Sequence, residues 1–397
     1  MKKVALYIHI PFCKQKCLYC DFPSYSHKEE FMDKYIEALN KEILEKTKKY
    51  KIESLFIGGG TPSYLNNKNL KSLLNTINKL DFIENAEKTI ECNPGTINKE
   101  KLEIILNGGI NRISFGLQSA NNEILKKIGR IHTYEEFKEN YILARKIGFK
   151  NINIDMMFGL PNQNLNIWLE SLKEVVELNP DHISSYSLII EEKTPFYSLY
   201  NKDLLDLPSE EEERKMYEIG RDFLESKGYH QYEISNYAKD NKECFHNKIY
   251  WECKEYIGVG VSSSSYIDGK RIKNIDNIKE YIKNINENNS VIDEELENTE
   301  KDKIEEFMFM GLRMIKGIEE KEFEIRFKKK VDELYKEVIK KHIKNGLLIR
   351  ENGRIFLSKK GIELSNMVMS DMILEWVGKW SKLKKNKNKF IFKDLID

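Results

Sequence analysis

No stretch of the 397-residue chain is apolar for the roughly 18–20 residues needed to cross a bilayer. Neither charge is in surplus. Lys and Arg number 65 against 64 Asp and Glu, a formal net charge of +1. That balance removes the global bias expected of a nucleic-acid or anionic-membrane binder. Internal repeats are missing. Cysteines are few, six in all, and three of them (Cys13, Cys17, Cys20) fall within eight positions. A disulfide framework belongs to small exported chains and does not suit this one. The opening MKKVALYIHI is basic then apolar, but its apolar run is too short for an export signal and lacks a small-residue cleavage site. We read it as a buried first strand and expect a cytoplasmic protein.

What is present describes an ordinary globular chain, 40% hydrophobic and 32% charged, long enough for two or more domains. Up to about residue 190, short β-rich runs alternate with amphipathic stretches. The runs are VALYIHI, ESLFIGG, KTIECNP, INRISFGLQ, FKNINIDMMFGL and DHISSYSLII. Between them, apolar residues such as Phe31, Tyr35, Ile36, Leu39 and Ile43 keep helical spacing. Six such units predict parallel strands with helical crossovers, an incomplete relative of the eight-unit barrel. The unusual residues cluster at the strands' C-terminal ends, the edge where such folds build their sites.

Beyond residue 195 the pattern changes. SEEEERKMYEIGRDFLESKG predicts one long exposed helix, and the aromatic-rich residues 229–274 predict irregular structure with short strands. Residues 282–302 are polar enough to predict a connection between domains. From Asp302 the order is helix, short helix, helix, then two short strands turning at Glu351-Asn352-Gly353, the order of a winged-helix-like module. A basic tail, KWSKLKKNKNKF, follows.

Three thiolates spaced C-x3-C-x2-C are soft ligands that suit zinc, copper(I) or an iron–sulfur cluster. Held by three cysteines, a four-iron cluster keeps one iron open for a small molecule. A zinc site completed by His9 or His27 is the alternative that spacing leaves standing. GGGTPS, Gly58 to Ser63, follows the second strand, and no Lys-Ser or Lys-Thr comes after it to make a phosphate loop.

With Tyr19 before its last cysteine, the motif resembles that of the radical S-adenosylmethionine (radical SAM) superfamily. That resemblance implies a six-unit barrel, a 4Fe-4S cluster on Cys13, Cys17 and Cys20, and SAM chelated to the open iron and cleaved by one electron. GGGTPS, ECNPGT, RISFGLQS, NIDMMFGLPNQ, HISSYSL and YEISNYAK, in that order, resemble the coproporphyrinogen dehydrogenase-like branch over residues 4–270. Carried over position by position, the SAM set is Tyr7, Tyr19, Gly59, Gly60, Thr61, Glu91, Gln118, Arg130 and Asp155. The expected architecture is an incomplete (β/α)6 barrel and a smaller, mainly helical, winged-helix-like C-terminal domain. It divides into a radical SAM core at 1–233, an aromatic-rich connecting region at 234–298 and the C-terminal domain with its basic tail at 299–397.

Two departures separate the groups within that branch. The dehydrogenases carry a fourth cysteine two residues after the third and an N-terminal extension. Here that position is Phe22, and the motif begins thirteen residues in. Both features resemble the haem chaperone group, as does HNKIYW, His246 to Trp251, which fits its HNxxYW pattern. An imidazole suits haem iron, and Tyr250 and Trp251 offer flat apolar faces to a porphyrin. The resemblance therefore implies haem held by His246, Asn247, Tyr250 and Trp251. It also implies partners that accept haem, respiratory apoproteins among them, with peripheral membrane contact during delivery and a homodimer both compatible. Two other readings stand beside it: an oxygen-independent coproporphyrinogen III dehydrogenase, and a winged-helix nucleic-acid binder with a structural metal. The last lacks a basic footprint, so no nucleic-acid partner is expected. Cys244 and Cys253 flank HNKIYW and are expected to be buried, idle thiols.

Overall fold

The computed structural model describes residues 1–374, so the basic tail lies outside the described residues. Six strands run parallel in sequential order: β1 (Lys2–Ile10), β2 (Tyr50–Gly59), β3 (Phe82–Cys92), β4 (Arg112–Gln118), β5 (Ile152–Phe158) and β6 (His182–Ser187). Their residues alternate in kind. One set packs against the crossover helices: Ile8 pairs in register with Ile57, Ile57 with Ile90, Ile90 with Ile113 and Ile113 with Ile152. All five belong to one buried apolar core. Cys92 sits in that outward layer too.

The other set faces inward and is polar. Ser54 pairs with Glu87, Glu91 with Ser114, Gly116 with Asp155 and Asn153 with His182. Closed barrels of parallel strands fill their interior with Val, Ile and Leu. These strands instead surround a polar chamber. The crossover helices begin where Asn66, Asn98, Thr133 and Asn164 accept a hydrogen bond from a backbone N–H of the first turn. Each such cap contributes about 1 kcal/mol.

The sheet continues on both flanks to twelve strands among the described residues. Tyr256–Val259 adds parallel to β1, and three antiparallel strands follow it, ending at Ile292–Glu297. Asn236–Ala238 adds antiparallel to β6, and His230–Glu233 adds antiparallel to Asn236–Ala238. Residues 282–302 are therefore not a bare connection. They complete the helix Ile278–Asn286 and form that edge strand. Ile278, Tyr281 and Ile282 make one buried face of the helix, which its surrounding Asn and Glu residues mask in the composition. The helix Glu210–Ser226 is likewise exposed on one side only. Met216, Gly220 and Leu224 face inward, and the backbone carbonyl of Met216 accepts a 2.9 Å bond from the indole N–H of Trp168.

The helices Glu300–Gly311, Glu320–Phe327 and Val331–Lys344 precede the hairpin Leu348–Glu351 and Arg354–Leu357, in the order the sequence predicts. Asn352 and Gly353 both take positive φ at the turn, as a two-residue hairpin of matching twist requires. This unit has its own core around Phe307, Phe323 and Tyr335, continuous with Tyr232, Trp251 and Cys253. Backbone bonds from Ile234 N–H to Arg313 O (3.1 Å) and from Ile315 N–H to Tyr232 O (3.0 Å) fasten it to the strand beyond β6.

Candidate functional site

The loop after β1 carries the three cysteines to the C-terminal rim of the strands. It is pinned there by Leu18 N–H to Ile128 O (3.1 Å), Gln15 Nε2 to Gly129 O (3.0 Å) and Phe196 N–H to Leu18 O (3.0 Å). The thiols stand closely enough that Cys17 pushes its neighbours' titration upward. Burial first, then Cys17, raises Cys20 to about 12, and burial also raises Cys13. Cys13 Sγ accepts from Thr61 Oγ1 at 3.6 Å and Cys17 Sγ from Arg130 Nη1 at 3.5 Å. Gly60 is required by space, because a Cβ there would stand 2.9 Å from Cys13 Sγ and from Phe12 O.

These features fit an iron–sulfur cluster held at the rim: three soft donors on one loop with a guanidinium and a hydroxyl beside them. The zinc alternative would draw its fourth donor from His9 or His27. Both ring nitrogens of His9 are engaged, by Tyr7 Oη at 3.0 Å and Pro23 O at 2.7 Å.

Below the rim lies a chamber of about 230 Å³. Of the SAM residues expected from sequence, Tyr7, Gly59, Glu91 and Asp155 line it. Glu91 Oε2 accepts from Gly59 N–H at 3.2 Å, and Gly59 has a φ of +109°, where a Cβ would meet the His9 ring at 2.6 Å. Burial, helped by Asp155, pushes the Glu91 carboxyl up to about 8. Burial also raises Asp155, although Ser114 Oγ (3.0 Å) and Asn153 Nδ2 (2.7 Å) donate to it. Gly60, Thr61, Gln118 and Arg130 stand at the rim beside the cysteine loop. Gln118 holds a φ of +76°, which only a constrained non-glycine residue adopts, and Gly116 leaves room for Arg130 Nη2 against its backbone. Tyr19 packs on Phe196, ring centroids 6.3 Å apart, and is not among the chamber's lining residues.

The opposite end of the chamber is closed by the helix Phe245–Trp251, where the sequence pattern predicts irregular structure. Glu87 from β3 accepts from the N–H groups of Phe245 (3.1 Å) and His246 (3.0 Å) and so anchors the helix start. His246 is buried, with Nδ1 at 2.8 Å from Ser54 Oγ and Nε2 at 2.8 Å from Tyr250 Oη. Burial holds its imidazole neutral down to about pH 3. Its ring lies 5.3 Å from Phe56, and Tyr250 meets Tyr256 edge-on at 4.7 Å. His246, Asn247, Tyr250 and Trp251 all line the chamber. Cys244 and Cys253 are buried thiols, each raised to about 12 by burial.

Sequence reasoning missed Arg112, Glu233, Asn236 and Arg313, which also line the chamber. The available signal was the polar alternation inside strands such as RISFGLQ and INIDMMF, because buried parallel strands ordinarily read as continuous apolar runs.

Comparison with known proteins agrees with this arrangement. Residues 7–175 match the radical SAM superfamily and residues 298–364 the HemN C-terminal domain. The chain is 39% identical over 376 residues to the haem chaperone HemW of Bacillus subtilis, covering 94% of this chain and 99% of that one. It is 38% identical to HemW of Lactococcus lactis over 94% of this chain and 98% of that one. Among solved structures it is similar to coproporphyrinogen III oxidase (HemN) of Escherichia coli, a radical SAM enzyme. The TM-score is 0.82 at 25% identity, over 94% of this chain and 90% of that one. No helix among the described residues is long and apolar enough to cross a membrane.

Proposed function

The chain belongs to the HemW family of radical SAM proteins, and on that premise we propose that it is a cytoplasmic haem chaperone that binds haem and passes it to acceptor apoproteins. The observation that carries this reading is the shared chamber. The HNKIYW helix closes one end of the cavity whose other walls are Tyr7, Glu91 and Asp155.

Cys13, Cys17 and Cys20 would hold a 4Fe-4S cluster, and Tyr7, Tyr19, Gly59, Gly60, Thr61, Glu91, Gln118, Arg130 and Asp155 would hold SAM. When bound, the cluster supplies one electron and an open iron for a small ligand. The protein's own part is positional. Arg130 sets the Cys17 thiolate, Gly60 lets the backbone approach, and Glu91 accepts from a ligand hydroxyl or ammonium once it has given up its proton.

Haem would be held at the other end by His246, Asn247, Tyr250 and Trp251. His246 is already neutral, the form that ligates iron. For Nε2 to do so it must release Tyr250 Oη, so haem binding exchanges a hydrogen bond for a metal bond.

The likeness to the oxidase favours a second reading, oxidative decarboxylation of coproporphyrinogen III. Phe22, at the position of the dehydrogenases' fourth cysteine, weighs against it. The test separates the two: reconstitute the cluster anaerobically, then offer haem, or coproporphyrinogen III with SAM and reductant. Stable haem binding with no protoporphyrinogen supports the chaperone. Protoporphyrinogen formed with consumption of SAM overturns it.

A further inference from the structure

Five polar atoms that line or border the chamber have no hydrogen-bond partner among the described residues: Nε of Arg112, Nε of Arg313, Nε1 of Trp251, Oε2 of Glu233 and Oδ1 of Asn236. Arg112 is only 2% solvent-accessible and its Nε has no hydrogen-bond partner among the described residues, although the charges of Glu87 and Asp155 offset its burial. A buried donor left unfilled is costly in a protein interior. The nearby acids take their hydrogen bonds from other donors. Glu87 anchors the helix Phe245–Trp251, and Asp155 accepts from Ser114 and Asn153. Glu233 Oε1 accepts from Ser235 N–H at 2.9 Å, which leaves Oε2 at 3.7 Å from Arg313 Nη2, too long for a hydrogen bond. Arg313 lies over the Trp251 ring at 4.3 Å.

We propose that Arg112 and Arg313 form a carboxylate-binding subsite in the half of the chamber away from the cluster loop, and that it takes the propionate edge of the tetrapyrrole. The proposal rests on the haem reading above. A carboxylate only accepts and a guanidinium only donates, so each completes the other, and a haem carries two propionates for two guanidiniums that each keep an unpartnered Nε. Position separates this subsite from the rim of the SAM pocket. Arg112 opens β4 and Gln118 ends it at the rim, six residues and about 20 Å of strand away. Arg313 arrives from the C-terminal unit, next to the backbone bonds that fasten that unit to the barrel, so a bound carboxylate joins the two.

The test titrates haem, haem dimethyl ester and SAM separately into the cluster-reconstituted full chain, as wild type, Arg112→Gln and Arg313→Gln. The expected result is haem affinity at least ten-fold lower in each variant. The ester should bind the wild type about as weakly as the variants bind haem and be indifferent to both substitutions, with SAM affinity unchanged in Arg313→Gln. Equal binding of haem and ester to the wild type overturns the proposal, as does an equal loss of both in the variants. Loss of SAM binding with haem affinity intact overturns it too, and gives the carboxylate site to SAM. Should Arg112→Gln fail to fold, Arg313→Gln and the wild-type comparison of haem with its ester still decide. Failure of haem to bind the wild type at all is a different outcome, since it removes the haem reading itself.

Discussion

The two ends of the barrel are built from different kinds of sequence. At the rim, neighbours in the chain act together: Cys13, Cys17 and Cys20 share a loop, and Gly59, Gly60 and Thr61 share a turn. At the other end, single residues from distant elements meet: Ser54 from β2, Glu87 from β3, Arg112 from β4 and His246 from the helix Phe245–Trp251. The rim is loosely hydrogen-bonded around soft thiols, whereas the far end is a tight polar network beside two guanidiniums that each keep an unpartnered Nε. The difference points to two functions that share a chamber and are separable by mutation.

The largest effect expected is at the rim. Changing Cys13, Cys17 or Cys20 to Ala abolishes iron and sulfide content after anaerobic reconstitution, while Cys92→Ala, in the outward core, retains both. Retention in all three motif variants would break the comparison at its firmer end.

Next in size is His246→Ala, which lowers haem affinity at least ten-fold in a titration while cluster content holds. It also strands Ser54 Oγ and Tyr250 Oη, so a stability loss of about 1–3 kcal/mol is expected in denaturant unfolding.

Glu91 gives a graded test. With its carboxyl pushed up to about 8, it is largely protonated at neutral pH and must lose that proton to accept from a ligand hydroxyl or ammonium. SAM affinity therefore rises with pH, by up to about tenfold per unit below 8, and levels above it. Glu91→Gln binds more weakly and flattens the profile. A flat wild-type profile by calorimetry would show that Glu91 does not contact SAM.

The smallest effect is at Gly60. Ala there brings a Cβ to 2.9 Å from Cys13 Sγ, so cluster loading falls part-way, read as iron per chain.

Much of this was legible in the sequence. Strands β1–β6 announced themselves by β-rich runs between helical stretches, and the rim by contiguous motifs. The three helices and the hairpin at Asn352-Gly353 were legible for the same local reasons. What stayed hidden was non-local. Tyr256–Val259 is four residues long and pairs with β1 some 250 positions away, where no periodicity points. The helix Phe245–Trp251 is short and aromatic, although His246 and Tyr250 stand at the i, i+4 spacing that puts both on one helical face. Arg112 and Arg313 line one chamber only because the C-terminal unit is stitched to the strand beyond β6.

The most direct test of the two-ended account measures cluster content and haem affinity side by side in Cys20→Ala and His246→Ala. The account predicts that Cys20→Ala loses the cluster and keeps haem binding, and that His246→Ala does the reverse. Joint loss of both properties in either variant, with the fold intact by circular dichroism, would contradict it.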